Sequence, residues 1–166
     1  MNKSETSWCI EARAFKIAYT PFTHNFWVLV DQKKKIVEQI HGLAVNPITG
    51  LTKAVGCSSD LLQVVHGSNI LWSIQENQPK VSCITNDTKR VWQAALKSIP
   101  EINSLRLPYP DLWQHFYCMN SNTIFNTIGQ IMGVIKPANL LCTLAPGVRR
   151  VISQDIIEKY RYSSDK

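Results

Sequence analysis

The first half of the chain carries apolar runs in a strand pattern. Residues 9–19 alternate loosely between apolar and polar side chains, which is typical of a half-buried strand. Two further runs, 24–31 and 36–42, are rich in apolar and β-branched residues and flank the polar segment 32–35. Two such runs around a short polar turn predict a β-hairpin. The pattern therefore predicts three strands before residue 45.

The second half mixes strand and helix patterns. Apolar spacing predicts, in order, strands 61–65 and 69–74, then helices 86–99, 122–132 and 151–160. The first helix should stop near Pro100, because a proline inside a helix removes a backbone hydrogen bond. Gly133 follows the second helix, as a helix stop should. We expect an α+β domain in which an antiparallel β-sheet carries packed helices.

Two histidines border the predicted hairpin. His24 opens its first strand and His41 lies near the end of its second strand, at similar distances from the turn. Antiparallel pairing brings these two strand ends together, so both side chains should lie at one edge of the sheet, near the surface of a cleft. A histidine in an apolar strand is often a packed, hydrogen-bonded core residue, and that structural role is the alternative to catalysis.

The helix that follows Asn120 has a side chain in its first turn that can act as a nucleophile. Asn120 is a good N-cap residue and leaves Ser121 and Asn122 at the positive end of the helix dipole. Backbone N–H groups concentrated there would stabilise an oxyanion. With the strand histidines, these residues are the parts of a nucleophile–base–orienter arrangement. The alternative is a run of helix-capping side chains without further function.

The order of these residues is that of a known superfamily. His24 on an early strand and Ser121 at the start of a later helix resemble the circularly permuted papain-like (NlpC-type) proteins, which include the lecithin:retinol acyltransferase-like and PPPDE peptidase groups. The nucleophile motif of that superfamily reads Asn-Cys-Glu/Asn-His-Phe, and residues 120–124 (Asn-Ser-Asn-Thr-Ile) resemble it with serine in the cysteine position. Residues 24–28 and 41–44 also resemble uncharacterised bacterial domains, some of which accompany secreted toxins.

The resemblance implies a papain-like fold and hydrolysis or acyl transfer at an amide or ester carbonyl. Ser121 would attack, His24 would act as general base and then acid, and His41 would orient His24. N–H groups around Ser121 and Asn122 would hold the oxyanion, and Asn120 would cap the helix or supply a side-chain donor. The implied substrates are peptide, peptidoglycan-stem or lipid-acyl groups. A bacterial secreted effector or toxin, with a cognate immunity or regulatory protein as partner, fits the toxin-associated domains.

Serine in the cysteine position is a departure from the motif. A serine hydroxyl is a poorer nucleophile than a thiolate and needs an adjacent base. Three alternatives follow: a serine variant of a thiol hydrolase, an engineered form in which serine replaces the cysteine, or a non-catalytic domain. A non-catalytic domain would use the same cleft to bind a peptide, lipid or partner protein.

Cys118 is an alternative nucleophile, three residues before Ser121. It would act from the loop that precedes the helix. The competing structural interpretation is a buried cysteine that packs as a small hydrophobe beside Tyr117 and Met119. We rank Ser121 ahead of Cys118, because Ser121 occupies the motif position.

Length and composition fit one globular domain. The chain has 166 residues, of which 45% are hydrophobic and 18% charged. We expect residues 1–150 to form the domain and 151–166 a C-terminal helix and tail. No apolar run reaches the ~20 residues of a membrane helix, and residues 1–7 lack the apolar core of a Sec-type signal. These features predict a cytoplasmic protein, or one exported by another route.

Cysteine spacing and net charge limit the kinds of ligand and partner that the sequence supports. Five cysteines without a Cys-x-x-Cys pair disfavour a zinc site and a disulfide framework. No metal or cofactor motif occurs in the sequence, so we expect chemistry without a cofactor. The net charge of +6 favours mild attraction to anionic surfaces, but no nucleic-acid motif accompanies it. The sequence therefore disfavours nucleic acid as a partner.

Overall fold

Six strands and three α-helices build the described part of the chain. The structure is a computed structural model and describes residues 7–70, 74, 77–84 and 86–163. The strands are β1 (Cys9–Lys16), β2 (Thr23–Val30), β3 (Ile36–Val45), β4 (Thr52–Lys53), β5 (Leu61–Gly67) and β6 (Lys80–Ile84). The helices are α1 (Thr88–Ser104), α2 (Ser121–Ile131) and α3 (Gln154–Tyr160), and short 3-10 helices span Leu112–Phe116 and Pro137–Asn139.

The strands form one antiparallel sheet. Its order is β4-β3-β2-β1-β6, and β5 also pairs with β3. Every one of these pairs is antiparallel. Helix α2 packs on β2 and β3, while α1 packs on β5 and β1. The predicted α+β class, an antiparallel sheet with packed helices, is confirmed, and the papain-like order of elements stays a prediction.

The sheet has two buried faces with separate apolar layers. Trp27 packs on Phe125 of α2 with ring centroids 4.6 Å apart, and its indole N–H donates to the Phe125 carbonyl at 2.8 Å. Phe26, Val28 and Val30 belong to a second buried cluster. Because successive side chains of a strand point to opposite faces, Trp27 marks the helix face of the sheet and Phe26 marks the far face.

Helix α2 is almost completely buried. Ile124, Ile128 and Ile131 recur at helical spacing and pack in the main core. Gly129 allows the helix to approach the sheet, because a Cβ atom there would lie 2.6 Å from the Trp27 ring. These contacts fix the helix against β2, and with it the position of the helix start.

Helix α1 continues past the expected stop at Pro100, so that prediction is wrong. A proline inside a helix costs about 3 kcal/mol. Ile99 and Ile102, which flank the proline, are both buried against the core. Burial of two such side chains contributes about 1.5–3 kcal/mol each, which offsets the lost hydrogen bond. The helix therefore ends at Ser104.

Strand β6 has no counterpart among the predicted elements. It pairs with β1, and its five residues are too few to give a clear strand pattern in the sequence. Of the strand predicted over residues 69–74, residues 71–73 lie outside the described residues. Within the described ranges, no helix has the length and apolar character needed to cross a bilayer.

Candidate functional site

Asn120 caps helix α2 with its side chain. Its Oδ1 accepts hydrogen bonds from the backbone N–H groups of Asn122 and Thr123, at 2.9 and 3.3 Å. Its Nδ2 donates to the carbonyls of His115 and Pro146, at 2.8 and 3.0 Å. The predicted N-cap is confirmed. Because both amide hydrogens have acceptors, the alternative role of Asn120 as an oxyanion donor is not supported.

Asn122 ties the first turn of α2 to strand β2. Its Oδ1 accepts from the backbone N–H of Asn25 at 2.8 Å, and its Nδ2 donates to the Thr23 carbonyl at 3.0 Å. Strand β2 pairs with β3 only from Trp27 onward. Before Trp27, the Asn122 side chain occupies the edge of β2. The helix start therefore fills an opening between the two strands, at the backbone on both sides of His24.

Gly42 of β3 forms the other side of this opening. A Cβ atom at this position would lie 2.7 Å from Ile124 Cβ and 2.8 Å from Ser121 Cα. The backbone of β3 thus contacts the first turn of α2 directly. Only glycine allows so close an approach without a shift of the helix.

Gly42→Ala should destabilise the protein by about 1–3 kcal/mol, because the added methyl group overpacks the contact between β3 and α2. Urea denaturation measures the loss. Gly50→Ala is the control, because a Cβ atom there meets nothing within 4 Å. Its stability change reports only the loss of glycine's backbone freedom at a φ of +70. A Gly42→Ala protein as stable as the unmodified one would contradict the close contact.

His24 and His41 meet in a chain of hydrogen bonds. His24 Nε2 lies 2.9 Å from His41 Nδ1, and His41 Nε2 lies 2.9 Å from Gln39 Oε1. The Gln39 amide is oriented by donation from its Nε2 to the Ser68 carbonyl at 3.4 Å. This network assigns the protons: His41 Nε2–H donates to Gln39, and His24 Nε2–H donates to His41. The lone pair of His24 is therefore on Nδ1.

Both histidines are buried, so the expectation that they lie near the surface of a cleft is wrong. His24 is 2% exposed and His41 is 1% exposed. The Phe26 ring stacks on His41 with 4.4 Å between ring centroids. Burial lowers the pKa of His24 to about 3, and burial with the neighbouring His24 holds the pKa of His41 well below its usual range. Both rings are neutral at pH 7.

Ser121 and the histidine rings reach the opening from different sides. The rings stack with Phe26 and therefore lie on the far face of the sheet. Ser121 begins α2 on the helix face, and its side chain hydrogen-bonds to Tyr109, whose pKa burial raises to about 12. The structure thus brings His24 and His41 into contact, as predicted. It places Ser121 beside the strand that carries His24, but not on the face that carries the imidazole rings.

Two members of this site escaped prediction from the sequence. Gln39 precedes His41 by two residues on β3, so strand alternation is a signal that would have found it. Tyr109 lies in the connector before α2, and its N–H donates to the Asp60 carbonyl at 2.8 Å. No local pattern relates Tyr109 to Ser121, because their contact exists only in the folded domain.

Cys118 is exposed on the segment between the 3-10 helix Leu112–Phe116 and α2. Its backbone N–H donates to the Gln114 carbonyl at 2.7 Å. The interpretation of Cys118 as a buried hydrophobe is therefore wrong, since the residue lies at the surface. Its role as an alternative nucleophile stays a prediction.

The site offers no metal-binding cluster. Among the residues that the structure describes, no group of three or more His, Cys, Asp or Glu side chains is arranged to hold a metal ion.

Comparisons with protein families, with curated proteins and with solved structures found no match for this chain. The resemblance to papain-like proteins therefore depends on the motif residues alone.

Proposed function

We propose that the protein hydrolyses or transfers an acyl group at an amide or ester carbonyl, with Ser121 as nucleophile. The observation that most supports this is the Asn122 side chain, which joins the first turn of α2 to the backbone on both sides of His24. This contact holds Ser121 next to the backbone of His24, with the hydroxyl and the imidazole ring on opposite faces of the sheet. The hydrogen-bonded chain from Gln39 to His24 adds a base with a defined tautomer.

In the proposed reaction a proton moves from Ser121 to His24. Ser121 Oγ lies on the helix face and the His24 ring on the far face, so the reaction first requires the start of α2 to shift until Oγ is within hydrogen-bond reach of His24 Nδ1. His24 Nδ1 then takes the proton of Ser121 as Oγ attacks the carbonyl carbon. The tetrahedral intermediate then expels the leaving group, which receives that proton from His24. Water, or another acceptor, releases the acyl group by the same steps. His41 and Gln39 hold the imidazole in the tautomer that keeps Nδ1 unprotonated.

The environment of His24 makes it a weak base. Burial lowers the pKa of His24 to about 3. The ring is therefore neutral at pH 7 and can take a proton during the reaction, but it binds that proton weakly. The imidazolium that forms during attack donates to neutral His41, which stabilises it less than a carboxylate would. We therefore expect Ser121 to react more slowly than the serine of a Ser-His-Asp triad.

The oxyanion donor in this proposal is the backbone N–H of Ser121. The backbone N–H groups of Asn122 and Thr123 already donate to Asn120. The side-chain amide of Asn122 donates to two backbone carbonyls. The backbone N–H of Ser121 is therefore the oxyanion donor in place of Asn122. The positive end of the α2 dipole also favours negative charge there.

The substrate under this proposal is a peptide, a peptidoglycan stem or a lipid acyl group, as the papain-like resemblance implies. The toxin-associated domains in that resemblance support a secreted effector as the biological setting. Its partner would then be a cognate immunity or regulatory protein.

Labelling with a fluorophosphonate tests this function. We expect a stoichiometric adduct on Ser121, located by mass spectrometry of peptides, because an activated serine attacks the phosphorus as it would a carbonyl. Ser121→Ala should remove the adduct. Iodoacetamide in a parallel reaction examines Cys118, and fast selective alkylation there, with an inert serine, would transfer the nucleophile role to Cys118. A folded protein without any adduct on Ser121 would contradict the proposal.

A second candidate function is binding without chemistry. The segment directly before Ser121 exposes four apolar side chains, Leu112, Trp113, Phe116 and Tyr117, with exposed fractions of 68, 79, 43 and 79%. Exposed apolar patches of this kind mark interaction sites. They favour a peptide, lipid or partner protein that docks at the start of α2. An unreactive Ser121 in the labelling experiment would leave this function as the better supported one.

A further inference from the structure

A groove on the surface between α1 and α3 is lined by positive side chains. Its volume is about 420 Å³, and none of the described residues that line it is acidic. Its five cations are Lys89, Arg90, Lys97, Lys159 and Arg161. The groove is separate from the opening that holds Ser121.

The cations are arranged along both walls of the groove. Lys89, Gln93 and Lys97 are spaced by four residues on α1, so their side chains follow one side of that helix, and all three are exposed. Lys159 and Arg161, at the end of α3 and directly after it, line the facing wall. The positive charge at the groove thus comes from both α1 and the end of α3.

Two carboxylates border the groove and hold its tyrosines. Glu101 accepts hydrogen bonds from Lys159 Nζ at 2.6 Å and from the Tyr160 hydroxyl at 2.7 Å. Asp87 accepts from the Tyr162 hydroxyl at 2.7 Å. These bonds fix both rings in the groove and neutralise Lys159 in part. Even without Arg90, four cations outnumber these two carboxylates, so the groove stays positive.

We propose that this groove binds single-stranded nucleic acid. A phosphodiester chain is a linear polyanion, and it fits a groove with cations along both walls, where phosphates displace condensed counterions. The cationic side chains are exposed, so an anionic bilayer is the competing partner. Tyr160 and Tyr162 are half-buried against the main core, and Lys159 Nζ lies 5.2 Å from the centroid of the Tyr160 ring. The proposed binding therefore depends on contacts between the cations and the phosphates. This inference is independent of acyl transfer at Ser121.

Anisotropy of a labelled oligothymidylate of about 12 nucleotides, titrated at several salt concentrations, tests the proposal. The variant Lys89→Gln/Lys97→Gln/Arg161→Gln should bind roughly tenfold more weakly at low salt. The slope of log affinity against log salt should become shallower by about 2, because each lost phosphate contact removes about 0.7. Circular dichroism first establishes that the variant is folded.

A matched control removes the same charge from the turn between β2 and β3. It is Lys33→Gln/Lys34→Asn/Lys35→Gln, with asparagine at 34 because Lys34 has a φ of +63, which asparagine tolerates well. This control should keep the affinity and salt slope of the unmodified protein. If both triple variants lose affinity equally, net charge alone attracts the oligonucleotide and the groove proposal is overturned.

Vesicles of phosphatidylglycerol provide the competing partner. We expect the groove variant and the unmodified protein to bind them equally. Vesicle binding that depends on Lys89, Lys97 and Arg161, without oligonucleotide binding, would replace the proposal with a membrane-surface site. Absence of oligonucleotide binding at low salt would overturn it as well.

Discussion

Replacing His24 with alanine should lower the rate at which a fluorophosphonate modifies Ser121 by about 10²–10⁴-fold. The serine hydroxyl would lack the base that takes its proton during attack. The change also removes a buried ring that lies 6.1 Å from the Phe26 centroid, so denaturation must first show that the variant is folded. The measurement is the second-order rate constant of labelling, followed by mass spectrometry.

A graded series separates the base from the residues that orient it. His41→Ala should cost less than His24→Ala, because it misplaces the base without removing it. Gln39→Ala should cost less again, since His41 stays and loses only the acceptor that sets its tautomer. His66→Ala, at an exposed histidine of β5, is the control. A folded His24→Ala protein that is labelled at the original rate would show that Ser121 does not use His24.

Acidification from about pH 7.5 to about pH 5 should lower the free energy of unfolding by about 2 kcal/mol through His24, and the buried His41 should lower it further. In the unfolded chain a histidine binds a proton below about pH 6.5. In the folded protein His24 does so only near pH 3, and the pKa of His41 is also held low. The unfolded state therefore binds more protons throughout this window. Stability is complete above pH 6.5 and is lost as the pH falls towards 3.

Urea denaturation at a series of pH values measures this effect. His24→Gln and His41→Gln should each reduce the slope of stability against pH, whatever they do to stability at neutral pH. His66→Gln should leave the slope unchanged, because His66 is exposed in the folded protein as it is in the unfolded chain. Equal stability of the unmodified protein at both pH values would contradict the burial of the histidine pair.

The parts of the fold that sequence patterns predicted correctly depend on short-range signals. The hairpin of β2 and β3 follows from two apolar runs around a polar turn, and helix α2 follows from its period and from the Asn120 cap. The errors arise where distant contacts dominate. Helix α1 passes Pro100 because Ile99 and Ile102 are buried, and β6 is a strand because β1 lies beside it.

The candidate site divides in the same way. The contact between His24 and His41 was predictable, because a hairpin brings positions equally far from its turn together. The burial of the pair was not, since it depends on what covers the far face of the sheet. The same limit applies to Tyr109, which reaches Ser121 only when the connector before α2 pairs with the start of β5.

By itself the sequence determined local geometry and chemical type: which segments become strands or helices, where α2 is capped, and which side chains can act as nucleophile or base. Only the tertiary structure decided that Asn122 fills the gap beside His24, that Ser121 and the imidazole rings lie on opposite faces, and that the cations of α1 and α3 share one groove. The physical reason is that propensity and capping act between neighbours along the chain. Burial, electrostatic fields and shared sites depend instead on how distant segments pack.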